Sequence, residues 1–187
     1  MYLVVGLGNP GRQYEGTRHN VGFAVVSELR RGWGLPDWRS KFSGLWTQGE
    51  WQGHAVGLLE PQTYMNNSGE CVQPAAAFFR VEPAELVVVH DELDLPWGTV
   101  RLKVGGGHAG NNGVRSIIER MGTPEFVRVR VGIGKPSDRE ARDHVLSGFD
   151  PLERAELPAV LKRAVDAVGR VLSEGLQSAM NVVNTKA

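Results

Sequence analysis

The chain has 187 residues and equal numbers of acidic and basic side chains, so its formal net charge is zero. A hydrophobic content of 41% is typical of a globular domain, and no apolar run approaches the ~20 residues that span a bilayer. The single cysteine excludes an intrachain disulfide and a thiolate metal cluster. Because the first residues lead directly into an apolar strand pattern, we expect no signal peptide, no membrane contact and a cytoplasmic location.

Positive charge is concentrated in the middle of the chain. Residues 99–142 contain nine Lys or Arg against four Asp or Glu, whereas residues 1–98 contain seven against eleven. Such a segment can form a basic surface for a polyanion. Scattered, solvated charges give the same count, and charge alone slightly favours that second interpretation.

The spacing of apolar residues predicts alternating strands and helices. Val-rich runs such as residues 86–89 are typical of strands that are buried on both faces. Asn20 and Asp150 are suitable starts for helices, although Pro158 is a second possible start of the last long helix. We predict strands at 2–5, 86–90, 99–104 and 126–133, two strands within 43–59 joined near Gly53, helices at 21–31, 68–80, 113–121 and 150–172, and a short segment at 176–183.

This order of elements predicts an α/β fold in one domain that covers residues 1–187. Because residues 43–59 have the pattern of a hairpin, we expect a twisted, mixed and mostly parallel sheet that is flanked by helices. Ligands of such open sheets bind beyond the carboxyl ends of the strands.

Two polar residues suited to catalysis follow two of these strands. His19 lies just before the helix at 21–31, and Asp91 follows the run at 86–89. If they share one crevice, they are the pair expected of a general base and the carboxylate that orients it. The helix terminus lowers the pKa of an imidazole, whereas a nearby carboxylate raises it. A purely structural role for His19 is about as probable from these residues alone.

Two other motifs are weak. Gly6-x-Gly8-x-x-Gly11 has the letters of a dinucleotide fingerprint, but the next helix begins about nine residues too late to meet a pyrophosphate. The carboxylates at 91–94 and the histidines at 90 and 108 lack the spacing of metal ligands. We therefore expect neither a cofactor nor a metal.

Two loops that open helices, at 64–69 and 105–113, are rich in Gly and Asn. Exposed amides at helix N-termini bind anions or carbonyl groups, although turn formation explains any single Asn equally well. Several such loops near strand ends favour a polar crevice.

Together these residues resemble the bacterial peptidyl-tRNA hydrolase family. The matching stretches follow the family order and cover most of residues 1–150: VGLGNPG at 5–11, Tyr14, TRHNVG at 17–22, PQTYMNNSG at 61–69, HDELDLP at 90–96, Lys103 with GGGHAGNNG at 105–113, and RVRVGIG at 128–134. The chain departs from the family at Asn111, where the resemblance leads us to expect histidine. We expect this change to affect the shape of the loop more than the activity.

The resemblance implies hydrolysis of the ester between a peptide and the terminal ribose of tRNA by a monomer without cofactor or metal. It implies that His19 is the general base, that Asp91 orients it, and that Asn66 positions water or stabilises the carbonyl. It further implies that Asn9 and Asn112 hold the peptide backbone and the 3′ CCA end, that Tyr14 and Met65 line the crevice, and that Lys103 and Arg130 bind the 5′ phosphate and acceptor stem.

Two alternatives from other classes stay open. One is a non-catalytic RNA-binding relative on the same fold, although such a protein has no need for a general base and a carboxylate that orients it. A carboxylesterase or peptidase needs a side-chain nucleophile, but no G-x-S-x-G elbow is present and Cys71 falls within a predicted helix.

Overall fold

A computed structural model gives the fold of the protein, and residues 1–185 are described. Within them, one sheet contains seven strands: β1 (Tyr2–Gly6), β2 (Arg39–Lys41), β3 (Gly44–Trp51), β4 (His54–Pro61), β5 (Leu86–Glu92), β6 (Val100–Val104) and β7 (Val127–Gly132). Their order across the sheet is β2-β3-β4-β1-β5-β7-β6. The central strands β4, β1, β5 and β7 pair in parallel, and β2, β3 and β6 add antiparallel pairs at the edges. The predicted α/β fold with a mixed, mostly parallel sheet is confirmed.

Helices cover both faces of this sheet. Those in the described part of the chain are α1 (Val21–Gly32), α2 (Ser68–Phe78), α3 (Asn112–Met121), α4 (Ala141–Val145), α5 (Pro151–Glu174) and α6 (Leu176–Val183). Short 3-10 turns at Arg18–Asn20 and Met65–Asn67 lead into α1 and α2. None of the helices within residues 1–185 combines the length and the apolar character needed to cross a membrane.

Two apolar clusters explain why the central strands are continuous hydrophobic runs. On one face, Val4 and Val87 belong to a cluster that includes residues of α1 and α5. On the other face, Val5 and Val88 belong to a cluster that includes residues of α2 and α3. Because side chains alternate across a strand, the valines and leucines of β1 and β5 face a buried layer on one side or the other.

The close approach of α1 to the sheet depends on two glycines. A Cβ atom on Gly22 would lie 2.5 Å from the backbone nitrogen of Leu7 and 2.5 Å from the carbonyl oxygen of Val89. A Cβ atom on Gly6 would overlap the backbone of Gly22. Gly6 is therefore explained by helix–strand packing, which brings the residues just before α1 to the carboxyl ends of β1 and β5.

Several predicted boundaries differ from the structure. The strand β5 extends to Glu92, two residues beyond the predicted end at residue 90, because β7 pairs with it that far. The last long helix begins at Pro151, where Asp150 and Glu153 form a capping box, and Pro158 lies inside the helix. The strand β2 and the helix α4 were not predicted because elements of three and five residues carry no periodic signal.

Glu60, near the end of β4, is a buried carboxyl group. It is 6% exposed and accepts a hydrogen bond from the hydroxyl of Ser27 on α1 at 3.1 Å. Burial raises the pKa of Glu60 to about 7, although the hydrogen bond from Ser27 acts in the opposite direction. Because this pKa exceeds that of the unfolded chain, the associated stability is complete at low pH and is lost as the pH rises towards and through 7.

We predict that Glu60→Gln raises the free energy of unfolding by about 1–3 kcal/mol near pH 8.5 and changes it little near pH 4.5. Chemical denaturation of both proteins at the two pH values measures the difference. The matched control is Ser27→Ala, which removes the donor and keeps the carboxyl group, so it should destabilise the protein most at the higher pH. An effect of Glu60→Gln that is equal at both pH values would contradict this account.

Candidate active site

The structure brings His19 and Asp91 together at the carboxyl ends of β1 and β5. His19 lies in the 3-10 turn before α1, and its Nδ1 atom is 2.8 Å from Oδ2 of Asp91. The side chains of His19 and Asp91 are 15% and 3% exposed. Because an ionised carboxylate only accepts hydrogen bonds, Nδ1–H is the donor and Nε2 is the nitrogen that can take up a proton.

Two opposing effects act on the pKa of His19. Burial lowers it, whereas the negative charge of Asp91 and the hydrogen bond to that carboxylate raise it, and the net result is a raised pKa. Asp91 therefore makes the imidazole a stronger base than an isolated histidine.

A buried arginine anchors the turn that carries His19. Arg18 is fully buried, and its guanidinium lies 2.6 Å from the carboxylate of Glu153 and 3.3 Å from that of Asp150. It also donates hydrogen bonds to the hydroxyl of Ser147 and the carbonyl of His144. These contacts hold the turn against the beginning of α5 and the segment after α4.

Two asparagines join the loops around the site. The backbone N–H of Asn9 donates to Oδ1 of Asn20 at 2.8 Å, and Nδ2 of Asn20 donates to the carbonyl of Asn9 at 2.9 Å. Oδ1 of Asn9 accepts a hydrogen bond from the backbone N–H of Met65 at 2.7 Å. Asn20 occupies the N-cap position of α1 as predicted, but its side chain makes this bridge and no capping bond.

A cavity of about 680 Å³ lies at this end of the sheet. Seven of the nine predicted site residues line it: Asn9, Tyr14, His19, Met65, Asn66, Asp91 and Asn112. The rest of the wall includes Tyr64 and the loop 109–111, which belong to the two loops predicted to form a polar crevice. Glu92, Leu93 and the segment around α4 complete it, and the sequence did not identify these. Tyr64 is 53% exposed and meets Tyr14 edge to face, with ring centroids 6.4 Å apart.

Asn111 is the polar residue whose role the sequence underestimated. Its side chain caps α3 by accepting a hydrogen bond from the backbone N–H of Val114 at 3.0 Å. This bond helps to define the shape of the loop that leads into α3. It also donates to Oδ1 of Asp91 at 3.1 Å. The side chain thus contacts the carboxylate directly, and no periodicity or spacing in the sequence signals this contact.

Lys103 on β6 and Arg130 on β7 do not line the cavity. The Nε atom of Arg130 donates to Oε1 of Glu92 at 3.0 Å, and Glu92 is part of the cavity wall. Lys103 packs against the glycine loop that follows β6, since a Cβ atom on Gly106 would lie 2.9 Å from its Nζ.

The basic residues between 99 and 142 are not all available to a polyanion. Arg128 is 2% exposed and donates to the carbonyls of Gly106, Gly107 and Pro124, so it holds a loop from inside the protein. Three others form ion pairs with carboxylates, namely Arg115 with Glu119, Arg120 with Glu70 and Lys135 with Asp94. At these four positions the basic side chains are therefore buried or already paired with carboxylates.

Other groups capable of chemistry lie apart from the cavity. Cys71 is buried in α2, where burial raises the pKa of the thiol to about 12, so it is not a thiolate nucleophile at neutral pH. No group of three His, Cys, Asp or Glu side chains within residues 1–185 is arranged to hold a metal ion.

A mostly parallel sheet whose strand ends hold a histidine–aspartate pair beside an asparagine-lined cavity is the arrangement of an α/β enzyme. The family model of peptidyl-tRNA hydrolase matches residues 3–187, and the chain belongs to this family. It is 57% identical over 189 residues to the peptidyl-tRNA hydrolase of Sorangium cellulosum strain So ce56, covering 100% of this chain and 85% of that protein.

Further relatives agree with this assignment. The peptidyl-tRNA hydrolase of Geobacter metallireducens is 45% identical over 184 residues, covering 98% of this chain and 95% of that protein. The crystal structure of peptidyl-tRNA hydrolase from Acinetobacter baumannii superposes with a TM-score of 0.92 at 40% identity, covering 99% of this chain and 95% of that one.

We predict that Asp91→Asn moves the acidic limb of the kcat–pH profile for peptidyl-tRNA to lower pH and lowers the plateau. The amide removes the negative charge that raises the pKa of His19, while burial continues to lower it. A pH profile of kcat measures both effects. Asp94→Asn is the matched control, because this neighbouring carboxylate is half-exposed, pairs with Lys135 and lies outside the cavity wall. An unchanged limb in Asp91→Asn would mean that Asp91 does not act on the base.

Proposed function

We propose that this member of the peptidyl-tRNA hydrolase family cleaves the ester between a peptide and the terminal ribose of its tRNA with water activated by His19. The observation that carries the proposal is the 2.8 Å contact between Nδ1 of His19 and Asp91 at the wall of the asparagine-rich cavity. The contact fixes the tautomer in which Nε2 is the basic nitrogen.

The reaction then proceeds in two steps. Nε2 of His19 takes a proton from water as the oxygen attacks the ester carbonyl, and Asp91 stabilises the resulting imidazolium. The tetrahedral oxyanion collapses, the bond to the ribose oxygen breaks, and that oxygen receives the proton from Nε2. The products are a peptide carboxylic acid, which loses its proton to solvent, and a tRNA with a free terminal hydroxyl group.

The asparagines supply hydrogen bonds to this reaction. Asn66 lies on the turn before α2 and is the donor we assign to the attacking water or the developing oxyanion. Asn112 begins α3 on another part of the cavity wall and is assigned to the 3′ CCA end. Oδ1 of Asn9 is already bonded to Met65, so the amide Nδ2 of Asn9 is the group offered to the peptide backbone.

The body of the tRNA is assigned to the surface beside the cavity. Arg130 lies on β7 beside Glu92 of the cavity wall and Lys103 lies on the edge strand β6, and we assign both to contacts with the 5′ phosphate and acceptor stem while the CCA end occupies the cavity. Tyr14 and Met65 provide apolar lining. Because one chain supplies every part of the site, we propose that the protein works as a monomer. We also propose that it needs no cofactor or metal and that it acts in the cytoplasm.

The alternatives weighed from the sequence gain no support. A non-catalytic RNA-binding relative would not need the intact pair of His19 and Asp91, and the buried thiol of Cys71 does not suit a nucleophilic esterase. The base and the carboxylate stand together, as water activation requires.

We predict that His19→Ala lowers kcat for peptidyl-tRNA by about 10²–10⁴-fold, the usual contribution of a general base. Turnover of N-acetylaminoacyl-tRNA measures the loss, and the melting temperature shows whether the variant is folded. His54→Ala is the control, since His54 begins β4 at the opposite end of the sheet and packs against Tyr2. A folded His19→Ala variant that turns over at the wild-type rate would remove His19 from the mechanism.

We predict that Lys103→Gln raises KM for peptidyl-tRNA and reduces the slope of log affinity against log salt by roughly 0.7–0.9, one phosphate contact. Turnover of a peptide ester of a short CCA fragment should barely change, because that substrate lacks the acceptor stem. Lys162→Gln is the matched control, because Lys162 is exposed on α5, on the other face of the sheet.

Arg130 gives a less direct test, because removing it also leaves the buried carboxylate of Glu92 without its partner. If Lys103→Gln kept the wild-type salt slope on full tRNA and lost kcat on the fragment, Lys103 would belong to the active site or the fold.

A further inference from the structure

The two oxygens of the Asp91 carboxylate have different partners. Oδ2 lies 2.8 Å from Nδ1 of His19, and Oδ1 lies 3.1 Å from Nδ2 of Asn111. The same amide nitrogen is 3.3 Å from the backbone carbonyl of Asp91. Among the described residues, Asn111 is the one protein donor to Oδ1, and the side chain of Asp91 is almost fully buried, which leaves little room for water to replace that donor.

Asn111 is itself held at several points. Its Oδ1 atom accepts the backbone N–H of Val114 in the first turn of α3, and its backbone N–H donates to the carbonyl of His108 at 2.9 Å. Its carbonyl accepts the backbone N–H of Arg115 at 3.0 Å. The amide of Asn111 is thus fixed relative to α3, and through its Nδ2 atom α3 is connected to Asp91 on β5.

We propose that Asn111 is a positioning residue for hydrolysis, which fixes the rotation of the Asp91 carboxylate so that Oδ2 faces Nδ1 of His19. This inference rests on the function proposed for His19 and Asp91. The terminal torsion of an aspartate is broad, so one hydrogen bond to Oδ2 does not by itself hold the carboxylate plane. A second donor on Oδ1 defines the plane and stabilises the ionised form that orients the imidazole.

The choice of asparagine follows from this double role. A helix N-cap requires only an acceptor, so serine or aspartate would serve α3 equally well. Neither supplies a donor at the distance of Nδ2, since serine is too short and an ionised aspartate only accepts hydrogen bonds. The amide of Asn111 meets both needs with one side chain.

The test compares Asn111→Ser and Asn111→Ala, each made in the wild type and in an Asp91→Ala background, by single-turnover assays with peptidyl-tRNA. In the wild-type background, both should lower kcat by about 10- to 100-fold, as expected for loss of one hydrogen bond to a charged group, and leave KM unchanged. Asn111→Ser keeps the cap and should keep the melting temperature. Asn111→Ala should lower it by about 2–4 °C because the cap is lost.

The decisive result comes from the Asp91→Ala background. There Asn111→Ser should have no further effect on the rate, because a residue that acts through Asp91 has nothing left to position. Wild-type kcat in Asn111→Ser would reduce Asn111 to a helix cap and overturn the proposal. An equal loss in both backgrounds would also overturn it, since Asn111 would then act on the substrate or on the fold. If Asp91→Ala itself kept the wild-type rate, the proposed function of the His19–Asp91 pair would fail and this inference with it.

Discussion

The close packing of α1 on the ends of β1 and β5 is the constraint on which the site depends. Gly6 and Gly22 lack side chains where the helix and strand backbones meet, and the backbone N–H of Leu7 donates to the carbonyl of Val89 at 3.0 Å just beyond the paired strands. This contact sets the height of the first turn of α1 above the sheet. The 3-10 turn before it therefore places His19 beside Asp91, although the two residues are 72 positions apart in the chain.

Buried charges reinforce this arrangement from several sides. A charged group that is buried without a partner lowers the stability of the folded protein by several kcal/mol. Arg18 has its partner in Glu153 next to the turn that carries His19, and Arg128 has partners in backbone carbonyls of the glycine loop and of Pro124. These arginines are thus fixed parts of the scaffold, and Arg128 adds to the charge count of residues 99–142 without adding to the basic surface.

The sequence predicted the parts of the protein that depend on periodicity. Continuous Val-rich runs identified β1 and β5, and the rule that ligands bind beyond the carboxyl ends of parallel strands led to the hypothesis that His19 and Asp91 share one crevice. The contacts of Arg18, Arg128 and Asn111 could not be predicted in this way, because each is a hydrogen bond between side chains and groups that are distant in sequence. The helix α4 was not predicted for a different reason. Its five residues are too few for a buried face to repeat along the helix.

The site also divides into a rigid part and an adaptable part. The groups next to the proposed reacting ester, His19, Asp91 and Asn9, are buried or nearly buried and are held by hydrogen bonds at 2.7–2.9 Å. Tyr64 and Leu146 on the rim are exposed and belong to chain segments between elements. In the proposed reaction, the ester and the tRNA end are constant while the peptide varies. Fixed polar groups are therefore needed only at the ester, and an open rim of mixed polarity accommodates peptides of different sequence.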